Sequence, residues 1–204
     1  MIIEKEADIK GNRFYSIITE PYSNPVTVDE VKEFARIDGE DEDDILETFI
    51  ESVVKLTEAY LGRSLVNRTI RMIMDTWTSR EIELPYPPLV SISSVQTIDE
   101  SNTATTYSSD NYYTITESIP GRLLIKKDSE LPSNTERNYG GYRITYIAGY
   151  GNSREDVPQQ IRTAIKQWVT LLYENRSMVE NDMIKNEPPP EVKKGLLQFR
   201  VVRI

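Results

Sequence analysis

Carboxylates are the one abundant chemical resource in this sequence. Asp and Glu number 33 against 24 Lys and Arg, while cysteine and histidine are both absent. That double absence removes thiolate nucleophiles, Ser-His-Asp and Cys-His relays, Cys- or His-based metal sites, and the side chain that most readily shuttles protons near neutral pH. Two kinds of carboxylate chemistry survive: an acid-base pair of the glycosidase kind and an oxygen cage for magnesium or calcium. For the pair, the candidates are Asp75, Asp99 and Asp110, near the ends of expected strands and loops. Nothing in the sequence sets any two of them at the required separation, and with so many acids chance pairs are expected. For the cage, the candidate is the run DGEDEDD at 38–44. A calcium loop counted from Asp38 needs a glutamate at its twelfth position, where Phe49 stands, and its glycine is misplaced as well. GGYRITYIAGYG likewise lacks the spacing and the Lys-Ser/Thr ending of a phosphate loop.

One further polar cluster, Tyr173-Glu174-Asn175-Arg176, ends the apolar-striped stretch TAIKQWVTLLYENRS. Neighbours on a helix diverge by about 100°, so these four cannot share one partner. Tyr173, four residues after Val169, can edge the core, and Arg176 suits the negative end of the helix dipole. Capping and contact with another subunit or partner are the roles left open.

These groups need elements to hold them. Thr27 with Glu30 three residues on is a capping-box pattern, followed by Val28, Val31 and Phe34 at helical spacing in a short helix ending near Arg36. A longer helix begins around Asp43, with Ile45, Leu46, Phe49, Ile50, Val53, Leu56 and Tyr60 recurring every three or four residues and Gly62 placed for a left-handed cap. From Val66 the period becomes two, with Val66, Ile70, Met72 and Met74 on one face and Arg68 intruding. Further strands are expected at 80–84, 90–98, 112–116, 121–126 and 142–147, separated by turns such as LPYPPL, DESNTATTYSSDN and NTERNYGGY. With no long helix interrupting, this middle third reads as antiparallel sheet. Its tyrosines, at 107, 112, 113, 139, 142, 146 and 150, could stack bases, but no basic groove accompanies them and packing or protein contact is the better reading. A third helix starts near Pro158, carries Ile161, Ala164, Ile165, Trp168, Val169 and Leu172, and runs to about Arg176. MIKNEPPP then acts as a stiff spacer before the closing PEVKKGLLQFRVVRI.

The resulting architecture is α+β: a small helical bundle of two N-terminal helices, one long C-terminal helix and a short terminal helix, with an antiparallel strand-rich insertion. Its expected parts are an irregular arm at 1–26, helices at 27–65, the β insertion at 66–150, the long helix at 151–180 completing the helical core, and a Pro-rich spacer, short helix and tail at 181–204. Charge is placed unevenly across these parts. Residues 27–61 hold twelve acids and three bases, matching the net charge of -9, whereas the closing segment from Pro190 has four bases and one acid. An acidic surface repels DNA phosphate, so sequence-specific DNA binding is not expected, although transient passage of DNA is compatible. No apolar run is long enough to span a membrane. The opening MIIEKEADIKG has acids where a signal peptide has its basic region, so synthesis inside a cell is expected.

In this order the chain resembles the gp6-like head-tail connector proteins of tailed bacteriophages, also called adaptor or head completion proteins, in the variety whose helices are separated by a strand-rich insertion. The matching stretches are FARIDGEDEDDILETFIESVVKLTEAYLGRSL at 34–65, IELPYPPLVSISSVQTID at 82–99, PGRL at 120–123, YRITYIAGYG at 142–151, VPQQIRTAIKQWVTLLYENRS at 157–177 and PPEVKKGLLQFR at 189–200. Arg36, Ile37 and Asp38 match the Arg-Ile-Asp ending of the family's first helix, Asp43 and Asp44 the acids opening its second, and Gly62 and Arg63 its exit. Pro158, Ala164, Tyr173, Asn175 and Arg176 match the third helix, and Leu196, Leu197 and Arg200 the closing helix and tail. Ser52 and Thr97 depart from the family's frequent Ala and Tyr, which bears on local packing.

The resemblance implies a non-enzymatic virion protein with no cofactor. It would form a ring, usually of twelve copies, beneath the portal vertex at the neck, after assembly in the host cytoplasm. Its implied partners are further copies of itself, the portal protein and the tail or next neck protein, with DNA passing through the channel during packaging and ejection. Arg36, Asp38, Asp43, Asp44, Arg63, Tyr173, Arg176, Leu196, Leu197, Phe199 and Arg200 are the candidate intersubunit or partner contacts. A more distal neck or tail completion protein is the alternative within this class, and a carboxylate-dependent hydrolase the alternative outside it.

Overall fold

The computed structural model describes residues 6–8, 13–133, 137–175 and 187–201, which fall into two compact units. One unit is Pro21–Val66 with Tyr150–Ile204, and it is helical. Its first helix, α1 (Val28–Ala35), opens on a complete capping box: Thr27 Oγ1 accepts the Glu30 N–H at 3.2 Å, and Glu30 Oε2 accepts the Thr27 N–H at 3.1 Å. It closes on Arg36 in the left-handed region at φ 57°. α2 (Asp43–Leu61) starts with Asp43 and Asp44 at the positive end of its dipole and stops at Gly62, φ 65°, whose N–H donates to the Glu58 carbonyl at 2.8 Å. In α3 (Gln159–Glu174) the expected stripe Ile161, Ala164, Ile165, Trp168, Val169 and Leu172 is buried throughout. α4 (Pro190–Leu196) has proline in its first turn and turns Val192 and Leu196, one helical turn apart, inward.

These inward faces form one core, in which Leu46, Val53, Leu61, Ile161, Ile165, Val169, Val192 and Leu196 are wholly shielded. Each such side chain contributes roughly 1.5–3 kcal/mol. α1 buries Val31 alone among its residues, so its caps, worth about 1 kcal/mol each, carry a larger share of its placement. Arg162 of α3 adds a tie: its Nε donates to the Pro25 carbonyl at 3.0 Å and its guanidinium pairs with Glu30, the residue that closes the capping box.

The other unit, Met1–Glu20 with Asn67–Gly149, is built of antiparallel sheet. Its strands are β1 (Glu6–Asp8), β2 (Arg13–Thr19), β3 (Arg68–Met74), β4 (Glu81–Leu84), β5 (Leu89–Ile98), β6 (Ala104–Tyr107), β7 (Tyr112–Ile115), β8 (Gly121–Ile125) and β9 (Tyr142–Ala148). A six-stranded sheet has the order β1-β2-β3-β9-β5-β6 and a three-stranded sheet the order β4-β8-β7. Residues 13–19, expected within an irregular arm, instead pair with β3 from Arg13↔Met74 onward. Part of the stretch expected as a turn, 104–107, likewise forms β6 on the edge of β5. The loop between β5 and β6 is shaped by Asp99, whose Oδ1 accepts the Thr103 N–H at 2.8 Å, and by Asn102 at φ 64°.

The core of this unit collects the even positions Ile70, Met72 and Met74 of β3 and Ile144, Tyr146 and Ala148 of β9, with Ile82, Leu84, Leu123 and Ile125 from the smaller sheet. β5 reaches it differently. Bulges between Leu89 and Ser91 and between Ile92 and Ser94 each add a residue, so Leu89, Ile92 and Val95 face inward at a spacing of three. β8 begins with Gly121, where a Cβ would collide with the side chain of Leu89, so the glycine permits the close approach.

Tyr112, the first residue of β7, is buried and stacks on Tyr107 with ring centroids 6.4 Å apart. Burial raises its phenol above the ordinary value. The unfolded chain therefore loses this proton first, and the stability contributed by the neutral phenol, complete below about pH 10, is lost as pH rises through that value toward the raised one. Alkaline unfolding followed by circular dichroism should show a shallower decline for Tyr112→Phe than for the native chain. Equal slopes would remove Tyr112 as a source of the alkaline instability.

Candidate functional site

The carboxylates singled out for chemistry are engaged in structure. Asp75 is buried and accepts the Gly140 N–H at 2.6 Å, tying the end of β3 to the approach of β9. Asp99 shapes the β5–β6 loop, and Asp110 lies in a single 3-10 turn capped by Ser108, whose Oγ accepts the Asp110 N–H at 3.2 Å. Among the described residues, a pocket of about 290 Å³ in the sheet unit is lined by one carboxylate, Glu130, and another of about 210 Å³ in the helical unit by Glu47. Among those residues neither offers a second acid for the exchange of roles that glycoside hydrolysis requires. Glu155 and Glu187 are held below the ordinary carboxylate range, chiefly by hydrogen bonds from Ser153 and Lys193 respectively, which is the wrong direction for a general acid. Among the described residues, no cluster of three or more acids is arranged to hold a metal ion. The run at 38–44 also divides its acids: Asp43 pairs with Lys32 at 2.8 Å and Glu42 accepts from the Tyr173 hydroxyl, leaving Asp38, Glu40, Asp41 and Asp44 exposed. The carboxylate of Asp43, by its hydrogen bond and then its charge, raises the Lys32 pKa.

The ending of α3 is attached rather than reactive. Tyr173 reaches Glu42, Asn175 Nδ2 donates to the Leu171 carbonyl at 2.9 Å as part of the cap, and Glu174 points into solvent. Arg176 lies outside the described residues, as do 181–186 of the expected spacer.

Of the expected contact residues, Asp43 and Tyr173 are paired within the chain, and Arg63 and Leu196 are buried in it. Arg63, expected at the exit of α2 as a contact, is 7% exposed, because its Nε donates to the Phe199 carbonyl and its guanidinium hydrogen-bonds the Tyr150 phenol. Burial raises that phenol's pKa, and the Arg63 charge and hydrogen bond partly offset the rise. Leu196 is fully buried, because α4 turns it and Val192 into the helical core. Arg36, Asp38 and Asp44 are exposed, and Leu197 is 53% exposed. Phe199 is half-buried against the helical core, and Arg200 lies over the Tyr60 ring, 5.0 Å from its centroid, with Lys193 at 5.7 Å.

One arrangement had no counterpart among the expected sites. Arg71 of β3 and Arg143 of β9 lie on the face of the large sheet opposite its core, as diagonal neighbours, since Arg71 is opposite Thr145 and Ile73 is opposite Arg143. Alternation could place Arg71 on that face. The juxtaposition needed the β3–β9 pairing, which joins segments about seventy residues apart.

Fold and polar groups together define an α+β protein with a helical unit and an antiparallel two-sheet unit, its notable polar residues working as caps, ties and surface charge. The head completion protein model matches residues 25–194, and the chain belongs to that family. No curated protein matches it. Among solved structures it is similar to a chain in the neck of an empty GTA particle computed with C6 symmetry, at 19% identity and a TM-score of 0.76, covering 93% of this chain and 96% of the other. A chain in the virion of a native gene transfer agent (GTA) particle gives 18% identity and 0.75 over 93% and 96% of the two chains. A third, in the neck of a native GTA particle computed with C12 symmetry, gives 18% and 0.72 over 100% and 97%. At these identities the likeness is one of fold.

Proposed function

We propose that this chain is a structural neck protein of a phage-like particle, a ring adaptor between the portal vertex and the tail that lines part of the DNA channel. Membership of the head completion family over residues 25–194 carries this reading. The likeness, over nearly the whole chain, to chains from necks computed with sixfold and twelvefold symmetry supports it. Twelve copies are the expected ring. Arg36, Asp38 and Asp44 on the helical unit and Leu197, Phe199 and Arg200 at its closing segment are the residues offered to neighbours, to the portal or to the next neck protein, with Arg176 a further candidate. Exposed acids facing the channel would let DNA slide without adhering.

The test is the mass of the purified protein by light scattering, alone and mixed with its portal ring, at two salt concentrations. A species near twelve copies, free or with portal, is expected. A monomer that ignores the portal in both salts would move the chain to a more distal neck position.

A further inference from the structure

We propose that the outer face of the six-stranded sheet, around Arg71 and Arg143, is a subunit interface that receives the acidic turn at 38–44 of a neighbouring copy. This rests on the ring reading above and names the contact that would build the ring.

Both arginines are half-buried, and the Nε atoms of both lie shielded from solvent with no hydrogen-bond partner among the described residues. Among the described residues neither makes an ion pair, in a protein with nine more acids than bases. Arg137 is a third like charge near Arg143, with two of its donors engaged by the Tyr139 carbonyl at 2.7 Å and Asn102 Oδ1 at 2.8 Å. Desolvation, followed by the charges of Arg71 and Arg137, lowers the Arg143 pKa, the sign of a cation held without a counter-charge. An arginine in this position stays charged regardless, so an incoming carboxylate is the direct remedy.

The surroundings indicate a protein as the source of that carboxylate. Ile73 stands between Phe14 and Arg143 in the same cross-strand row, and Phe14 is 41% exposed. Aromatic residues with arginine are the composition of protein interfaces. A surface that reads a nucleic acid backbone needs a larger set of exposed bases, because its affinity grows with the phosphates neutralised.

The complementary surface exists on this same chain. Asp38, Glu40, Asp41 and Asp44 are exposed within seven residues and make no ion pair among the described residues, while Asp43 and Glu42 are occupied by Lys32 and Tyr173. Two fork-shaped donors facing such a turn can each take a carboxylate in bidentate fashion. A contact between two different patches of one chain is head-to-tail, the geometry that closes into a ring.

The experiment is a charge swap read by light scattering and native mass spectrometry, with and without the portal ring. Arg71→Glu/Arg143→Glu alone and Asp38→Lys/Glu40→Lys/Asp41→Lys alone should each fail to assemble, and an equimolar mixture should restore an alternating ring with equal numbers of each. The milder Arg71→Gln/Arg143→Gln protein, confirmed folded by its melting curve, should weaken assembly by about tenfold or more. A native chain that assembles together with an Arg71→Gln/Arg143→Gln protein that assembles equally well would overturn this interface and leave the ring reading intact. A native chain that assembles in no condition would sink both. Undiminished assembly with loss of binding to a short DNA duplex would assign the face to nucleic acid instead.

Discussion

Leu46→Ala is expected to destabilise the helical unit by about 2–5 kcal/mol, the range for truncating a fully buried leucine whose surroundings collapse only in part. Leu46 is completely shielded and belongs to the core that α1, α2, α3 and α4 share. The two tryptophans of the chain allow that loss to be located, because Trp168 is in the helical core and Trp77 in the sheet core. In a Trp77→Phe background the fluorescence of Trp168 should report a urea midpoint lowered by on the order of 1 M or more. In a Trp168→Phe background Trp77 reports the sheet core for the same Leu46→Ala change. A Trp77 midpoint that stays in place would show that the two cores unfold separately, whereas a matching shift would make them one cooperative unit. An unmoved Trp168 midpoint would contradict the placement of Leu46.

The elements most legible in the sequence were those whose side-chain period is local. α1, α2 and α3 combine a 3.6-residue stripe with chemically distinct ends, Thr27 with Glu30, Gly62 and Pro158, so both their existence and their limits could be read. β3 and β9 alternate because their inner face is apolar apart from Arg68 at the start of β3 and the tyrosine hydroxyls of β9. β2 escapes a reading by period although RFYSIIT is rich in aromatic and β-branched residues. Only Tyr15 of that strand is buried, so the alternation that identifies a half-buried strand is faint there. β6, with ATTY exposed or half-exposed, carries almost no pattern, and its place beside β5 is a tertiary fact. The inward spacing of three in β5 is the work of two bulges, which period-two reading cannot anticipate.

Candidate contact residues were legible to a lesser degree, for a related reason. A sequence shows that Arg63 and Leu196 sit at element ends, and element ends often meet partners. It does not show that the closing segment folds back onto the exit of α2 and consumes both. The acids at 38–44 pose the converse case: their number is plain in the sequence, but the division between occupied and free carboxylates depends on Lys32 and Tyr173, which reach them from α1 and α3.

Arg63→Ala is expected to release that closing segment. Beyond the packing of Leu196 and Phe199, its end is fastened by the Arg63 Nε–H to the Phe199 carbonyl, the Val201 N–H to the Leu61 carbonyl at 2.9 Å, and the Tyr60 ring beneath Arg200. Hydrogen bonds from a charged donor contribute roughly 1.5–3 kcal/mol each, so removing Arg63 takes away the strongest of these polar ties and also leaves the Tyr150 phenol without the arginine. Because a factor of ten corresponds to about 1.4 kcal/mol, hydrogen exchange at Val201 should accelerate by roughly tenfold to a hundredfold. Cleavage after Lys193, Lys194 or Arg200 by trypsin should accelerate with it. Arg63→Lys should recover little, since an ammonium cannot present the guanidinium's fixed fork to a carbonyl and a phenol together. Unchanged exchange at Val201 would mean that packing by Phe199 and Leu196 holds the segment without the arginine. The proposed role makes the result consequential: Leu197 and Arg200 can be offered to a partner in one defined direction only while the backbone between them is clasped. A released segment should therefore bind the portal ring more weakly even though every residue offered to it is still present, because the ordering once supplied by Arg63 must then be met at the moment of binding.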